Sequence, residues 1–324
     1  ATQQFGSSTN AYNVAVGFGA GSSITVGYVN TLIGSLAGDA LTEGGSHTAV
    51  GYQSLAATTT ASGSTAVGHL ALSANTTGIK NVAIGYYAAA ANTTGQRNTV
   101  IGYNAFDANQ TSNFNTVVGH NALSAQTDGG YNVAVGDSAL SLSTTGSSLV
   151  AVGMGALQNN TTGTYNTAIG QAAGQGNTTG SSNISIGVNA NLSVTTASSN
   201  ISIGTNSLYN NTSAENVGIG KDALKSQTSG TNSTAVGTEA LNKNTTGNAN
   251  TGLGKQAGYF TTTGSNNTCV GFQAGRSTSS NTMASNTMIG SQVGYNHAGY
   301  YNFFGGASAA YYNTSGEYNV MIGY

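Results

Sequence analysis

A tetrapeptide of the form Thr/Val–small–Val/Ile–Gly returns along this chain at a fixed spacing, which constrains the fold more than any other feature. Its glycine stands at 17, 34, 51, 68, 85, 102, 119, 136, 153, 170, 187 and 204, so eleven successive intervals are all 17 residues. The series slips by one to Gly220, resumes at 237, 254 and 271, loosens to 290 and about 305, and ends at 323. An idealised unit reads N-T-A-V-G-Y-x-A-L-x-x-N-T-T-G-x-x, and nineteen copies account for the 324 residues without a linker or composition break. This period is too short for a helix pair or a propeller blade. It suits one coil of a β-solenoid, whose short strands stack into parallel sheets. The expected fold is all-β, a single-domain parallel β-solenoid or β-roll of about 19 coils of 17 residues over 1–324, with residues 295–324 as atypical, aromatic-rich terminal coils. At roughly 4.8 Å per coil, the stack would be about 90 Å long.

Within the unit, the residue before each glycine is branched or apolar: Val16, Ile33, Val50, Val67, Ile84, Ile101, and on to Leu253, Phe304 and Ile322. Two residues earlier stands Val, Ile or Thr, as in Val14, Thr48, Val82 and Ile184. Period-2 spacing puts both on one face of a strand, and their apolar character predicts that this face is the core. Ala15, Ala49, Ala83, Ala134 and Ser185 between them would then face water or another backbone. A second strand is expected at the Ala-Leu pairs 71–72, 122–123, 139–140 and 223–224, followed by Asn-Thr-Thr-Gly turns such as Asn75 to Gly78. Proline is absent because nearly every amide is needed by a neighbouring coil.

Asn recurs four residues before the glycine (Asn13, Asn81, Asn98, Asn115, Asn132), where amides can bond along the stack as a ladder or form a polar ligand strip. The position after the glycine reads Tyr52, His69, Tyr86, Tyr103 and His120 in five consecutive coils. This is a candidate surface-contact stripe, either cross-strand pairs that stabilise the sheet or faces for stacking on sugar rings. Seven of the 17 Tyr lie between 295 and 324. Tyr295, Tyr300, Tyr301, Tyr311, Tyr312, Tyr318 and Tyr324, with Phe303 and Phe304, make a candidate terminal interface. The alternative there is a bulkier set of coils closing the core.

Composition narrows the function. Charged residues are 5 % of the chain, and 7 basic against 9 acidic groups leave a net charge of −2, which excludes electrostatic nucleic-acid binding. No apolar run approaches the roughly 18–20 residues that cross a bilayer. The opening Ala-Thr-Gln-Gln carries no basic or apolar segment, as expected of a mature or trimmed product. A lone Cys269 leaves no disulfide framework or thiolate metal site. No carboxylate pair recurs at a fixed offset, only five Asp are present, and no nucleophile–base pair is marked. Asn-x-Thr triplets match the glycosylation sequon, but the repeat itself accounts for them. The chain reads as no enzyme, with no catalytic, metal or cofactor residues.

The coils Asn81-Val-Ala-Ile-Gly85, Asn132-Val-Ala-Val-Gly136 and Asn166-Thr-Ala-Ile-Gly170 resemble the head repeat of trimeric autotransporter adhesins. The fuller unit T-A-V-G-Y-x-A-L-x-x-N-T-T-G is similar to repeat regions of phage tail-fibre-like proteins. Both resemblances cover nearly the whole chain. The first implies a left-handed parallel β-roll packed as a homotrimer; the second implies a fibre that often carries a self-trimming C-terminal chaperone domain.

The leading expectation is a stiff, non-enzymatic fibre or adhesin outside a cell or on a virion. It would partner copies of itself as a homotrimer and gain avidity from repeated contacts, cell-surface glycan among them. The second is a filament subunit stacked end to end, because bare terminal coils expose unpaired strand edges. Ice binding is a minor third: it needs a flat external Thr-x-Thr array, whereas the Thr pairs here sit in predicted turns and the strand Thr alternates with Val on the face assigned to the interior.

Overall fold

The computed structural model describes residues 12–278 and 281–324. The chain divides into two compact units, Ala1–Thr164 and Tyr165–Tyr324. In the first, nine three-residue strands run from β1 (Val14–Val16) through β5 (Val82–Ile84) and β6 (Thr99–Ile101) to β9 (Val150–Val152). In the second, ten run from β10 (Thr167–Ile169) to β19 (Val320–Ile322), including β16 (Thr268–Val270), β17 (Thr287–Ile289) and β18 (Phe303–Gly305). Within each unit, every strand pairs in parallel with the equivalent strand one coil on, as Val82↔Thr99, Ala83↔Val100 and Ile84↔Ile101 show. No helix occurs among the described residues. Both units are all-β solenoids that contribute one strand per repeat block, as the spacing of the glycine motif predicts.

The facing of the strands is the reverse of the expected one. Ala83 is fully buried while Ile84 beside it is 38 % exposed. The same holds across β1 to β18: the middle residue is buried, and the flanking Val, Ile and Thr are half-buried or exposed. The reason lies across the coil. Ala71 and Leu72, adjacent in sequence, are both fully buried, as are Ala122-Leu123, Ala139-Leu140 and Ala223-Leu224. An extended strand sends neighbours to opposite faces, so these pairs do not form the expected second strand. They lie in a turn segment in which Leu72 takes φ 51° and Leu123 φ 51°. A left-handed leucine costs about 1–2 kcal/mol. Burial of its side chain and a bond such as Leu72 N–H to Ala88 O (3.1 Å) offset that cost. With each Ala-Leu pair filling the interior, the opposing strand has room for one side chain, and that one is small.

In three coils a large middle residue stands opposite a glycine in the leucine position: Leu32 faces Gly38, Cys269 faces Gly275 and Met288 faces Gly294. A Cβ on those glycines would lie 3.0 Å from Leu32 Cδ2, 2.6 Å from Cys269 Sγ and 2.7 Å from Met288 Sδ. The repeat glycine near 305 is also corrected. The corner is Gly306, and Phe304 takes the inward middle position of β18, against the edge of the His297 ring.

The recurrent asparagines are interior struts rather than a ligand strip. Asn81 Oδ1 accepts the backbone N–H of Asn98 (2.9 Å), and its Nδ2 donates to Gly95 O (2.7 Å). Asn98 and Asn115 repeat the first bond onto the following coil, each at 3.0 Å. The Asn of the Asn-Thr-Thr-Gly turns forms a second buried ladder, Asn92 Nδ2 to Asn75 Oδ1 (2.8 Å) and Asn109 Nδ2 to Asn92 Oδ1 (2.7 Å).

His47 replaces Asn in the first ladder and imitates it. Ser64 N–H donates to Nδ1 (3.2 Å), leaving Nε2–H for Ala61 O at 2.7 Å. Only the neutral ring can accept at one nitrogen while donating from the other. Burial lowers its pKa below 6.5, partly countered by the Ala61 and Ser64 backbone oxygens. Burial likewise lowers that of His297. The unfolded chain therefore takes up protons that the folded one refuses. Stability from both residues is complete above pH 6.5 and declines as pH falls below it through the lowered folded-state values. His47→Asn, which restores the residue of the preceding coil (Asn30), is expected to reduce this acid-side loss. Thermal melts between about pH 8 and about pH 5 check it; an identical loss in both chains would contradict the assignment.

Candidate functional site

The reversal of the strands creates the surface with the clearest functional character. Along each unit the outward sheet face carries two columns, one mainly of Thr, Val or Ile (Thr31, Thr48, Thr65, Val82, Thr99) and one mainly of Val or Ile (Ile33, Val50, Val67, Ile84, Ile101), with Leu253 and Gly305 the exceptions in the second. Phe303 on β18 is the one aromatic member among the described strands. No strand position in either column is charged. Rungs about 4.8 Å apart, with side chains about 7 Å apart along the strand, give the first unit a strip on the order of 300 Å². Five of its first-column residues are Thr (Thr31, Thr48, Thr65, Thr99 and Thr116), so the strip alternates methyl groups with hydroxyls.

Beyond the glycine corner, all five residues of the candidate stripe come together. Ring centroids lie 5.3 Å apart for Tyr52–His69, 4.9 Å for His69–Tyr86 and 5.0 Å for Tyr86–Tyr103, with interplanar angles of 21°, 10° and 8°. Tyr103–His120 is wider and tilted, at 5.7 Å and 35°. His120 Nδ1 then meets Asp137 Oδ1 at 2.8 Å, and that bond is the main cause holding the Asp137 carboxyl below its usual pKa. Because the rings stack on each other, the faces between them are covered, while Tyr52, Tyr86 and Tyr103 remain exposed. The geometry is that of cross-strand stabilisation, about 0.5–1.5 kcal/mol per pair, rather than of open platforms for sugar rings. A second column, beyond the reach of the sequence argument, places the Arg97 guanidinium over Phe114 (5.2 Å), and Phe114 stacks on Tyr131 (5.1 Å).

The terminal aromatic group is split by the structure. Phe304 is buried among Met288, Met283 and Ala309, and therefore leaves the candidate interface for the core. Its inward position follows from the corner at Gly306. Tyr295 stacks on Tyr311 (4.9 Å) and Tyr301 on Tyr318 (5.1 Å). Tyr300 Oη lies 3.1 Å from Thr282 Oγ1. Tyr312, Tyr318 and Tyr324 are exposed, as is Phe303. The group thus divides into one core residue, two stacked pairs with Tyr312 set edge-on against Tyr311, and the exposed Phe303 and Tyr324.

Sequence reasoning read the residue types of the outward face correctly but assigned them to the interior. The available signal was the Gly38, Gly275 and Gly294 compensation opposite bulky middle residues. No protein-family model matches the chain, and no curated protein is significantly similar to it.

Proposed function

We propose that this chain is a non-enzymatic structural and adhesive fibre protein. In this reading it forms a stiff rod outside a cell or on a virion surface and associates with copies of itself. The observation that carries the proposal is the uncharged outward face of the sheet, a Val/Ile column beside a column of Thr, Val and Ile. A strip so regular and free of charge is self-complementary. Identical rungs repeat at the same spacing on every copy, and no like charges meet when two strips face each other. Side-by-side packing of two or three copies covers the strip and leaves the exposed tyrosines outside for repeated weak contacts.

Ile84→Asp combined with Ile101→Asp is expected to turn a discrete dimer or trimer into a monomer, because carboxylates in the strip would be desolvated without partners. Sedimentation equilibrium checks this. A wild-type chain that is monomeric at high concentration would contradict side-by-side association, and open-ended fibres would favour end-to-end stacking.

One observation favours a second reading. The strand Thr (Thr31, Thr48, Thr65, Thr99, Thr116) point outward, so the inner-face ground for setting ice binding aside no longer holds, although each strand reads Thr-x-Ile or Thr-x-Val rather than Thr-x-Thr. Thermal hysteresis in the wild type, abolished by the same Asp pair, would support ice binding in place of association.

A further inference from the structure

Coils in register stack like on like, so a side chain repeated at one position sits on its own kind about 4.8 Å away. Among the described residues three tyrosine pairs stack in this way. Ring centroids lie 5.0 Å apart for Tyr86–Tyr103, 4.9 Å for Tyr295–Tyr311 and 5.1 Å for Tyr301–Tyr318, with interplanar angles of 8°, 9° and 7°. The backbone beneath is held from coil to coil. Asn104 N–H donates to Tyr86 O (2.9 Å), and Asn319 N–H, next to Tyr318, donates to Asn302 Oδ1 (3.0 Å).

Surroundings separate the three pairs. Tyr86, Tyr103, Tyr301 and Tyr318 are all exposed, Tyr86 least at 43 %. Tyr295 and Tyr311 are half-buried. The Arg276 guanidinium lies 5.5 Å from the Tyr295 ring centre, and its Nη1 donates to the Tyr295 hydroxyl. A cation so close opposes the removal of an electron from that ring. Tyr87 also touches Tyr86, at 4.6 Å, but it is tilted by 46° and adjoins it in sequence, so a link there would have to fold back on one peptide unit.

We propose that Tyr86–Tyr103 and Tyr301–Tyr318 are oxidative modification sites, each forming a dityrosine staple between consecutive coils of one chain. The oxidant is hydrogen peroxide, spent one electron at a time through a haem peroxidase. Each phenol gives up one electron and its hydroxyl proton. The two phenoxyl radicals join at the carbons ortho to oxygen, and the two ortho hydrogens then move to the oxygens and restore both phenols. Two tyrosines and one peroxide thus give one carbon–carbon link and two waters. Rings already in contact couple faster than rings that must meet from separate chains. A staple closes a loop of one coil and restricts the unfolded chain as a disulfide does. The proposal goes beyond the fibre reading and does not depend on how copies associate.

The test treats the full chain, in dilute solution, with a haem peroxidase and hydrogen peroxide, and then separates monomer from linked species in denaturant. The monomer is expected to show dityrosine fluorescence and to have lost two hydrogens per staple, with peptide mapping placing the links at Tyr86–Tyr103 and Tyr301–Tyr318. Tyr103→Phe is expected to abolish the first link and Tyr318→Phe the second, whereas Tyr295→Phe abolishes neither. Each variant keeps a ring in the stack, and unchanged melting temperatures would show that a lost link is not a lost fold. A monomer without dityrosine, links found only between chains, a Tyr86–Tyr87 link in place of Tyr86–Tyr103, or links that survive the Phe variants would overturn the assignment. So would the same links in chain oxidised in denaturant, because the register of the coils would then not direct the coupling.

Discussion

Gly85→Ala is expected to destabilise the first unit by roughly 3–5 kcal/mol, far more than one methyl normally does. Two causes act together. Gly85 has φ +140°, a backbone conformation that side-chain-bearing residues rarely adopt. An added Cβ would also sit 2.2 Å from Gly102 O and 2.7 Å from Gly102 C, backbone atoms of the following coil. Those atoms cannot yield, because Gly102 is locked in the same way against Gly119, and Gly85 N–H donates to Val67 O at 2.8 Å. Relief requires neighbouring coils to part, and each coil's stability depends on its neighbours. Denaturant melts give the value directly. A loss below about 1 kcal/mol would show that the corner is not a tight backbone contact.

Ala83→Asp is expected to cost upward of about 4 kcal/mol, whereas Ile84→Asp one residue away should cost little in an isolated chain. Ala83 is fully buried in an apolar interior, so an Asp carboxylate there would have to desolvate or protonate. Polar residues do occur at this position, but only small ones: Ser202 Oγ donates to Ser207 O at 2.8 Å. Equal losses for the two variants in thermal melts would return the aliphatic columns to the core.

The fold was legible because a short, fixed period leaves few alternatives and turn chemistry marks each coil. The facing was not, for a physical reason. Alternation in a three-residue strand says which residues share a face but not which face is inside; that depends on what fills the coil from the other side. Val133, Ala134 and Val135 read as two apolar residues flanking a small one, and the ordinary inference buries the larger area. Leu140, left-handed and fully buried behind Ala139, decides the opposite, and a left-handed leucine carries no mark in sequence. The aromatic ladder from Tyr52 to His120 was legible because its members share one repeat position. Phe304 was misplaced by one position because the repeat was aligned on Gly305, although Gly306, 17 residues before Gly323, keeps the regular interval.

The chain's single cysteine measures the inward assignment directly. Cys269 occupies the middle position of β16, is fully buried, and has its thiol pKa pushed up to about 12 by burial. Both reagent access and thiolate formation are thereby blocked. Titration of the native chain with an aromatic disulfide reagent should release no chromophore until denaturant is added, and then one equivalent per chain. Prompt reaction of one equivalent while the circular dichroism remains native would contradict the account, because the middle residues would then face the solvent.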